Sequence, residues 1–436
     1  MRKILLALGL ATAFAANLLA GETLNVKLVP ERTVLLNGKP QEIVIKIDLS
    51  AVAGKKKPRH TPLNLAVVLD KSGSMTGAKL EKTKQAAMQL VDRLAPNDIF
   101  SLVIFSDEAQ VLVPAQKVED KTALKDRIEG IEVGGSTALY AGVKMGADQL
   151  EEYLSPKCIN RVILLSDGLA NIGPSSPHDL RRLGGQLAER EISVTTIGVG
   201  DDYNEDLMAC LAEASDANYY YVQDTEKLPE IFAKELGEML EVAARQVKIE
   251  IVCPDGVKPL GFIGRREQFS GQQATVNLNQ FTTGQDRCLF LRCLVTKAMP
   301  DVAHASVSYT DELNGGTVQT AADVANVRFS EDQSDSDRSA NGLVVAQKEL
   351  VLTAVAKDEA MALADSGKYQ QAAQTLAAQG AVLNNAMAGA PPEVQDQIRV
   401  ETNNLDDIAG QLNSGAYGGA TRKVMQSQSY NTRNSK

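Results

Sequence analysis

Between residues 62 and 243 the chain alternates apolar runs with helical periodicity, and this alternation restricts the fold more than any other feature. Strands are expected at 63–69, 98–105, 109–114, 160–166, 192–199 and 218–222. Helices are expected at roughly 77–94, 119–130, 137–154, 176–190, 204–215 and 225–243. Arg161-Val162-Ile163-Leu164-Leu165 is almost continuously apolar, as a strand covered on both faces must be. In the 137–154 segment Leu139, Val143, Ala147, Leu150 and Leu154 form one apolar stripe. Alternation of this kind implies an α/β fold, a doubly wound sheet with helices on both faces. The step from Phe105 to Pro114 is too short for a helical crossover, so one hairpin and one antiparallel strand are expected there.

The flanks have a different period. Ile43, Ile45, Ile47 and Leu49 alternate with Val44, Lys46 and Asp48, and the pattern returns at Val247, Ile249, Ile251 and Cys253. Segments 275–279, 288–295 and 303–309 continue it between turn residues. The short N-terminal flank cannot bury a core alone. One β-sandwich built from 21–61 and 244–320, with 62–243 inserted between its halves, accounts for both flanks. Residues 321–342 read as an acidic linker and 343–414 as a helical hairpin or bundle, with patterns at 343–366, 368–388 and 393–412. The 415–436 tail is rich in Gly, Ser, Asn and Gln and is expected to be disordered.

Met1-Arg2-Lys3 followed by an apolar run to Ala20 has the form of a secretory signal peptide, residues 1–20. No other stretch is long and apolar enough to span a bilayer. The expectation is therefore a secreted or periplasmic protein without stable membrane insertion once the leader is cleaved. A net charge of −10, with Lys55-Lys56-Lys57-Pro58-Arg59-His60 as the one basic run, argues against nucleic acid as a partner. Five cysteines (158, 210, 253, 288 and 293) leave an odd thiol under oxidising conditions. Cys288 and Cys293 face opposite sides of one strand, so they do not pair with each other, but either can reach Cys253. Three scattered histidines make no zinc site.

In an open α/β sheet, ligands bind beyond the carboxyl ends of the strands. Asp70-Lys71-Ser72-Gly73-Ser74 follows the first apolar strand, a D-x-S-x-S turn that aims one carboxylate and two hydroxyls at one place. Thr137 offers a hydroxyl at the start of the 137–154 helix, after Gly134-Gly135-Ser136. Asp167 follows the strand ending at Ser166. Two carboxylates and three hydroxyls from three loops suit a hard cation such as Mg²⁺. Ser136 is read as a helix cap, and Asp201 and Asp202 as caps of the helix from 204. Gly198-x-Gly200 lacks the third glycine of a nucleotide fingerprint. Ser72 and Ser74 are not on a nucleophile elbow, so no enzyme is expected.

The inserted region resembles a von Willebrand factor type A domain, and Asp70, Ser72, Ser74, Thr137 and Asp167 match that family's metal-ion-dependent adhesion site. The layout of leader, split sandwich and C-terminal helices is similar to that of bacterial secreted A-domain proteins and of the inter-alpha-trypsin inhibitor heavy chains. Residues 197–205 and 417–430 carry looser likenesses to the same group. The resemblance implies Mg²⁺, with Mn²⁺ or Ca²⁺ as alternatives, and a protein partner whose Asp or Glu carboxylate completes the coordination. A cell-envelope assembly or scaffold factor, with the metal purely structural, is the other reading. Thr76-Gly77 stand where integrin-type domains carry an acidic pair, so no adjacent calcium site is implied. Lys71, in the variable position of the motif, places an ammonium beside the cation and is expected to weaken its binding.

Overall fold

The computed structural model describes residues 23–52 and 61–435. The leader and the 55–60 basic run, with the expectations placed on them, lie outside the described residues. The N-terminal flank supplies β1 (Leu24–Pro30), β2 (Val34–Leu36) and β3 (Gln41–Ala51). The α/β unit then runs through β4 (Leu63–Asp70), α1 (Ala78–Arg93), β5 (Ile99–Phe105), β6 (Ala109–Lys117), α2 (Lys121–Glu129) and α3 (Leu139–Leu150). It continues through β7 (Ile159–Ser166), α4 (Pro177–Ala188), β8 (Ile192–Val199), α5 (Glu205–Ala214), β9 (Tyr219–Val222) and α6 (Leu228–Leu240). The second flank adds β10 (Val242–Val252), β11 (Val257–Phe262), β12 (Gln273–Thr282), β13 (Asp286–Val295), β14 (Asp301–Asp311), β15 (Thr317–Asn326) and β16 (Arg328–Ser330). Helices α7 (Gln333–Arg338), α8 (Gly342–Asp365), α9 (Tyr369–Met387), α10 (Pro392–Ser414) and α11 (Gly419–Asn434) follow.

The α/β unit is a six-stranded sheet in the order β6-β5-β4-β7-β8-β9. Every pair is parallel except β5 with β6, whose short connection forces the expected hairpin. Strands β4, β5, β7 and β8 are buried along their whole length, which explains their unbroken apolar composition. Two apolar clusters lie on the two faces. One joins β4, β5 and β7 to α1, α2 and α6, the other to α3, α4 and α5. Gly146 lets α3 close on the sheet, since an added Cβ would stand 2.4 Å from Val68 Cγ2.

Two four-stranded sheets, β1-β3-β13-β11 and β12-β10-β14-β15, share one core. β3 from the first flank pairs antiparallel with β13 from the second, from Gln41 opposite Val295 to Ser50 opposite Asp286. Ile43, Ile45, Ile47 and Leu49 face Ile249 and Ile251 within that core, as their period of two requires. The outer face of the β3–β13 sheet is also covered, because Val44, Ile263 and Phe290 pack against Val344 and Val351 of α8. Cys253 and Cys293 meet inside the sandwich with their sulfurs 3.8 Å apart. Cys288 points the other way, to Ser435.

Two expectations are corrected. The 321–342 segment is not a linker. β15 runs on to Asn326, β16 pairs with β2, and Asp332 caps α7 through the Ser334 amide. The tail is not disordered either: Gly419–Asn434 is helical and binds α5 on one side and α8 on the other. Tyr430 enters the α/β core, donates to the Ala217 carbonyl at 2.5 Å and meets Tyr219 edge to face. Arg422 bridges Glu205, Asp206 and Asp365, and Arg433 joins Glu213 to Asp358. Polar composition concealed this helix, because its arginines and Lys423 pair with acidic residues elsewhere in the chain.

Candidate metal centre

The order of the α/β sheet reverses between β4 and β7. The chain works outward from β4 through β5 to β6, then returns to β7 on the other side. The crossovers on either side of such a point diverge and leave a crevice at the carboxyl ends of the two strands. Asp70 is the last residue of β4, and Asp167 follows Ser166, the last residue of β7. Both carboxylates therefore stand at the crevice, and both residues are fully buried.

Their contacts form one chain of oxygens. The Ser72 amide donates to Asp70 Oδ1 at 2.8 Å, and Ser166 Oγ donates to Asp70 Oδ2 at 2.5 Å. Ser72 Oγ and Ser74 Oγ lie 3.0 Å apart, and Ser74 Oγ donates to Asp167 Oδ1 at 2.7 Å. Thr137 is buried beside them. A Cβ on Gly168 would stand 2.8 Å from Thr137 Oγ1 and 3.4 Å from Ser74 Oγ, so only glycine fits between these hydroxyls. The loops are tied by their backbones: Gly134 N–H donates to the Lys71 carbonyl at 2.7 Å, and Gly73 N–H to the Gly135 carbonyl at 3.1 Å. Asn171 fixes Thr137 by accepting from its amide at 2.9 Å.

Burial raises the Asp70 pKa above its ordinary value and outweighs the lowering by hydrogen bonds from Ser166 and Ser72, while the nearby Asp167 raises it further. Two buried carboxylates so close together call for a positive charge between or beside them. Among the described residues no three His, Cys, Asp or Glu side chains cluster. The donors here are two carboxylates and three hydroxyls, an all-oxygen set that fits a hard divalent cation. Asp70, Ser72, Ser74, Thr137 and Asp167 would hold such an ion, which would supply a Lewis-acidic point charge at the rim of the sheet.

Several sequence-based assignments change. Ser136 does not cap α3: Ala138 occupies that position without a side-chain cap, and the Ser136 amide donates instead to Asp107 Oδ1. Asn204, not Asp201 or Asp202, caps α5, through the Asp206 and Leu207 amides. Asp201 accepts from Tyr221 Oη at 2.6 Å. Gly198 is glycine because Tyr203 lies on it; an added Cβ would stand 2.2 Å from the ring. The lysine that touches the candidate ligands is Lys79, whose Nζ lies 2.5 Å from Asp167 Oδ2. Lys71 serves the site through its backbone, donating to the Phe105 carbonyl and accepting from Gly134. Lys79 was discoverable in one respect: it is a cation in the first turn of α1, where the helix dipole disfavours one.

A cleft of about 730 Å³ opens at the other pole, between the starts of β7 and β8 and strands β10 and β12. Its charged side chains include the pairs Arg181 with Glu213 and Arg265 with Glu267.

An open α/β sheet with an oxygen cluster at its switch point defines a class of ligand-binding domains. Residues 64–234 match the family model described as von Willebrand factor type A domain, and the chain therefore contains a domain of that family. The chain is 28% identical over 282 residues to the protein sll0103 of Synechocystis sp., covering 61% of this chain and 66% of that one. It is 31% identical over 160 residues to inter-alpha-trypsin inhibitor heavy chain H4 of Homo sapiens, covering 35% of this chain and 17% of that protein. The chain thus matches less than two thirds of these relatives' length. Among solved structures, a von Willebrand factor type A protein from Catenulispora acidiphila superposes with a TM-score of 0.69 at 16% identity, over 89% of this chain and 91% of that one. The ArnB paralog VWA2 from Sulfolobus acidocaldarius gives 0.66 at 18% identity, over 95% and 98%. At that coverage the shared fold takes in the sandwich and the helices as well as the α/β unit.

Proposed function

We propose that the chain is a metal-dependent protein-binding module that works outside the cytoplasm. Asp70, Ser72, Ser74, Thr137 and Asp167 form its adhesion-type cation site. Mg²⁺ is the preferred occupant, with Mn²⁺ and Ca²⁺ as the alternatives. The observation that carries this reading is the convergence of the oxygens from three loops at the β4–β7 switch point, with both carboxylates buried. Mg²⁺ takes six oxygens and dehydrates reluctantly, so a site of this kind leaves a position for an outside group. A partner's Asp or Glu carboxylate fits that position by charge and by hardness. The signal-type leader supports the extracytoplasmic location, and among the described residues no helix is long and apolar enough to cross a membrane.

The test joins calorimetric titration of the full chain with Mg²⁺ to capture of partners from envelope extract with Mg²⁺ or with EDTA. Wild-type protein is expected to bind Mg²⁺ and to retain a partner only in its presence, while Asp70→Ala loses both yet stays folded. If EDTA or Asp70→Ala instead unfolds the α/β unit, the cation is structural and the scaffold reading takes its place.

A further inference from the structure

The candidate site already contains a cation of the protein's own. Lys79 stands in the first turn of α1 and reaches the end of β7, where its Nζ lies 2.5 Å from Asp167 Oδ2. Asp167 is fully buried, whereas the Lys79 side chain is 27% exposed. The other oxygen of the same carboxylate accepts from Ser74 Oγ, so the ammonium is joined to the ligand chain itself. Gly200, whose φ of +71° calls for glycine, lies beside the lysine; a Cβ there would stand at ordinary contact distance, 3.5 Å from Lys79 Nζ and 3.6 Å from its Cε. The helix dipole disfavours a cation at this point of α1, and the ion pair with Asp167 offsets that cost. A carboxylate pair buried without any counter-charge is strongly unfavourable. Lys79 supplies that charge from a side chain long and exposed enough to swing away.

We propose that Lys79 is a tethered counter-cation which holds Asp167 when no divalent ion is bound and must release it for one to enter. Loading is then an exchange of ammonium for metal. The exchange keeps the metal-free domain folded with its loops in place, at the expense of affinity. It also leaves a free ammonium at the rim in the loaded state, beside the position at which an acidic partner would arrive. This inference rests on the reading of the five oxygens as a cation site.

Two measurements on the full chain test it. Lys79→Met, which keeps length and removes charge, is expected to bind Mg²⁺ roughly 2- to 5-fold more tightly in calorimetry, the range for loss of one partly exposed competing ion pair. Lys79→Arg should stay close to wild type. In the unmutated protein, an amine-reactive ester followed by peptide mass mapping should label Lys79 faster in saturating Mg²⁺ than in EDTA. Unchanged or weaker Mg²⁺ binding by Lys79→Met, or labelling that Mg²⁺ leaves unchanged or slows while calorimetry shows the ion bound, overturns the exchange and leaves the cation site standing. Mg²⁺ binding by neither wild type nor Lys79→Met removes the cation site itself.

Discussion

At the scale of single residues, the α/β core depends on positions where a side chain would intrude. Gly198 is the clearest. Tyr203 is buried against it, and its hydroxyl lies 2.8 Å from that of Tyr219. Gly198→Ala would force this ring pair apart, and overpacking of that kind costs about 1–3 kcal/mol. A fall of that size is expected in urea unfolding. The midpoint should shift with no change in slope, because the surface exposed on unfolding is the same. Tyr430 gives a complementary test from the other side of the same cluster. Tyr430→Phe keeps the packing but leaves the Ala217 carbonyl without this donor, so a loss of about 1 kcal/mol is expected. Tyr430→Ala also opens a cavity, and about 3–5 kcal/mol is expected.

At the scale of elements, periodicity made the α/β unit legible. The six strands and six helices stand where the apolar runs and stripes placed them, most within three residues at either end. Asp70, Ser72, Ser74 and Asp167 were readable because strand ends are where an open sheet binds. Lys79 carried only the weak signal of a cation in a helix's first turn, because its partner Asp167 lies after β7, 88 residues further on. Helix α11 was missed for a related reason. Its buried face holds Lys423, Met425, Gln426, Ser429 and Tyr430, a stripe too polar to register as apolar. Lys423 pairs with Glu205 and lies over the Tyr203 ring, 5.0 Å from its centroid, so its charge is matched rather than solvated. Removal of residues 416–436 should therefore speed amide exchange in α5 and β9 while leaving β1, β3 and β13 protected, as hydrogen-exchange mass spectrometry would record. Equal loosening throughout would mean that α11 is an integral part of one cooperative fold. The Cys253–Cys293 pair belongs to this scale too, since it bridges the two sheets of the sandwich across 40 residues of sequence. Refolding with a glutathione disulfide as oxidant is expected to join these two in tryptic mapping. Closing a loop of that length stabilises by about 2–4 kcal/mol.

At the scale of the whole molecule, hydrogen bonds join the α/β unit to the sandwich at the pole opposite the oxygen cluster. Arg245 of β10 donates to the Pro156 carbonyl and pairs with Glu312, while Asn279 of β12 bonds Asp216, Ser193 and the Ser215 carbonyl. All of these α/β residues lie near the starts of β7, β8 and β9, whereas the oxygen cluster lies at the far ends of β4 and β7. The covalent exit follows the same plan, with a single residue, Glu241, between α6 and β10. A partner held at the rim would therefore pull against two anchorages, the sandwich contacts at the far pole and the α11 ion pairs at Glu205 and Asp206 near its own end. The share of tension borne by the far pole would run along the strands, setting the backbone hydrogen bonds of neighbouring parallel strands in shear, where many must break at once. A sheet loaded in that direction resists extension far better than one unzipped from its edge.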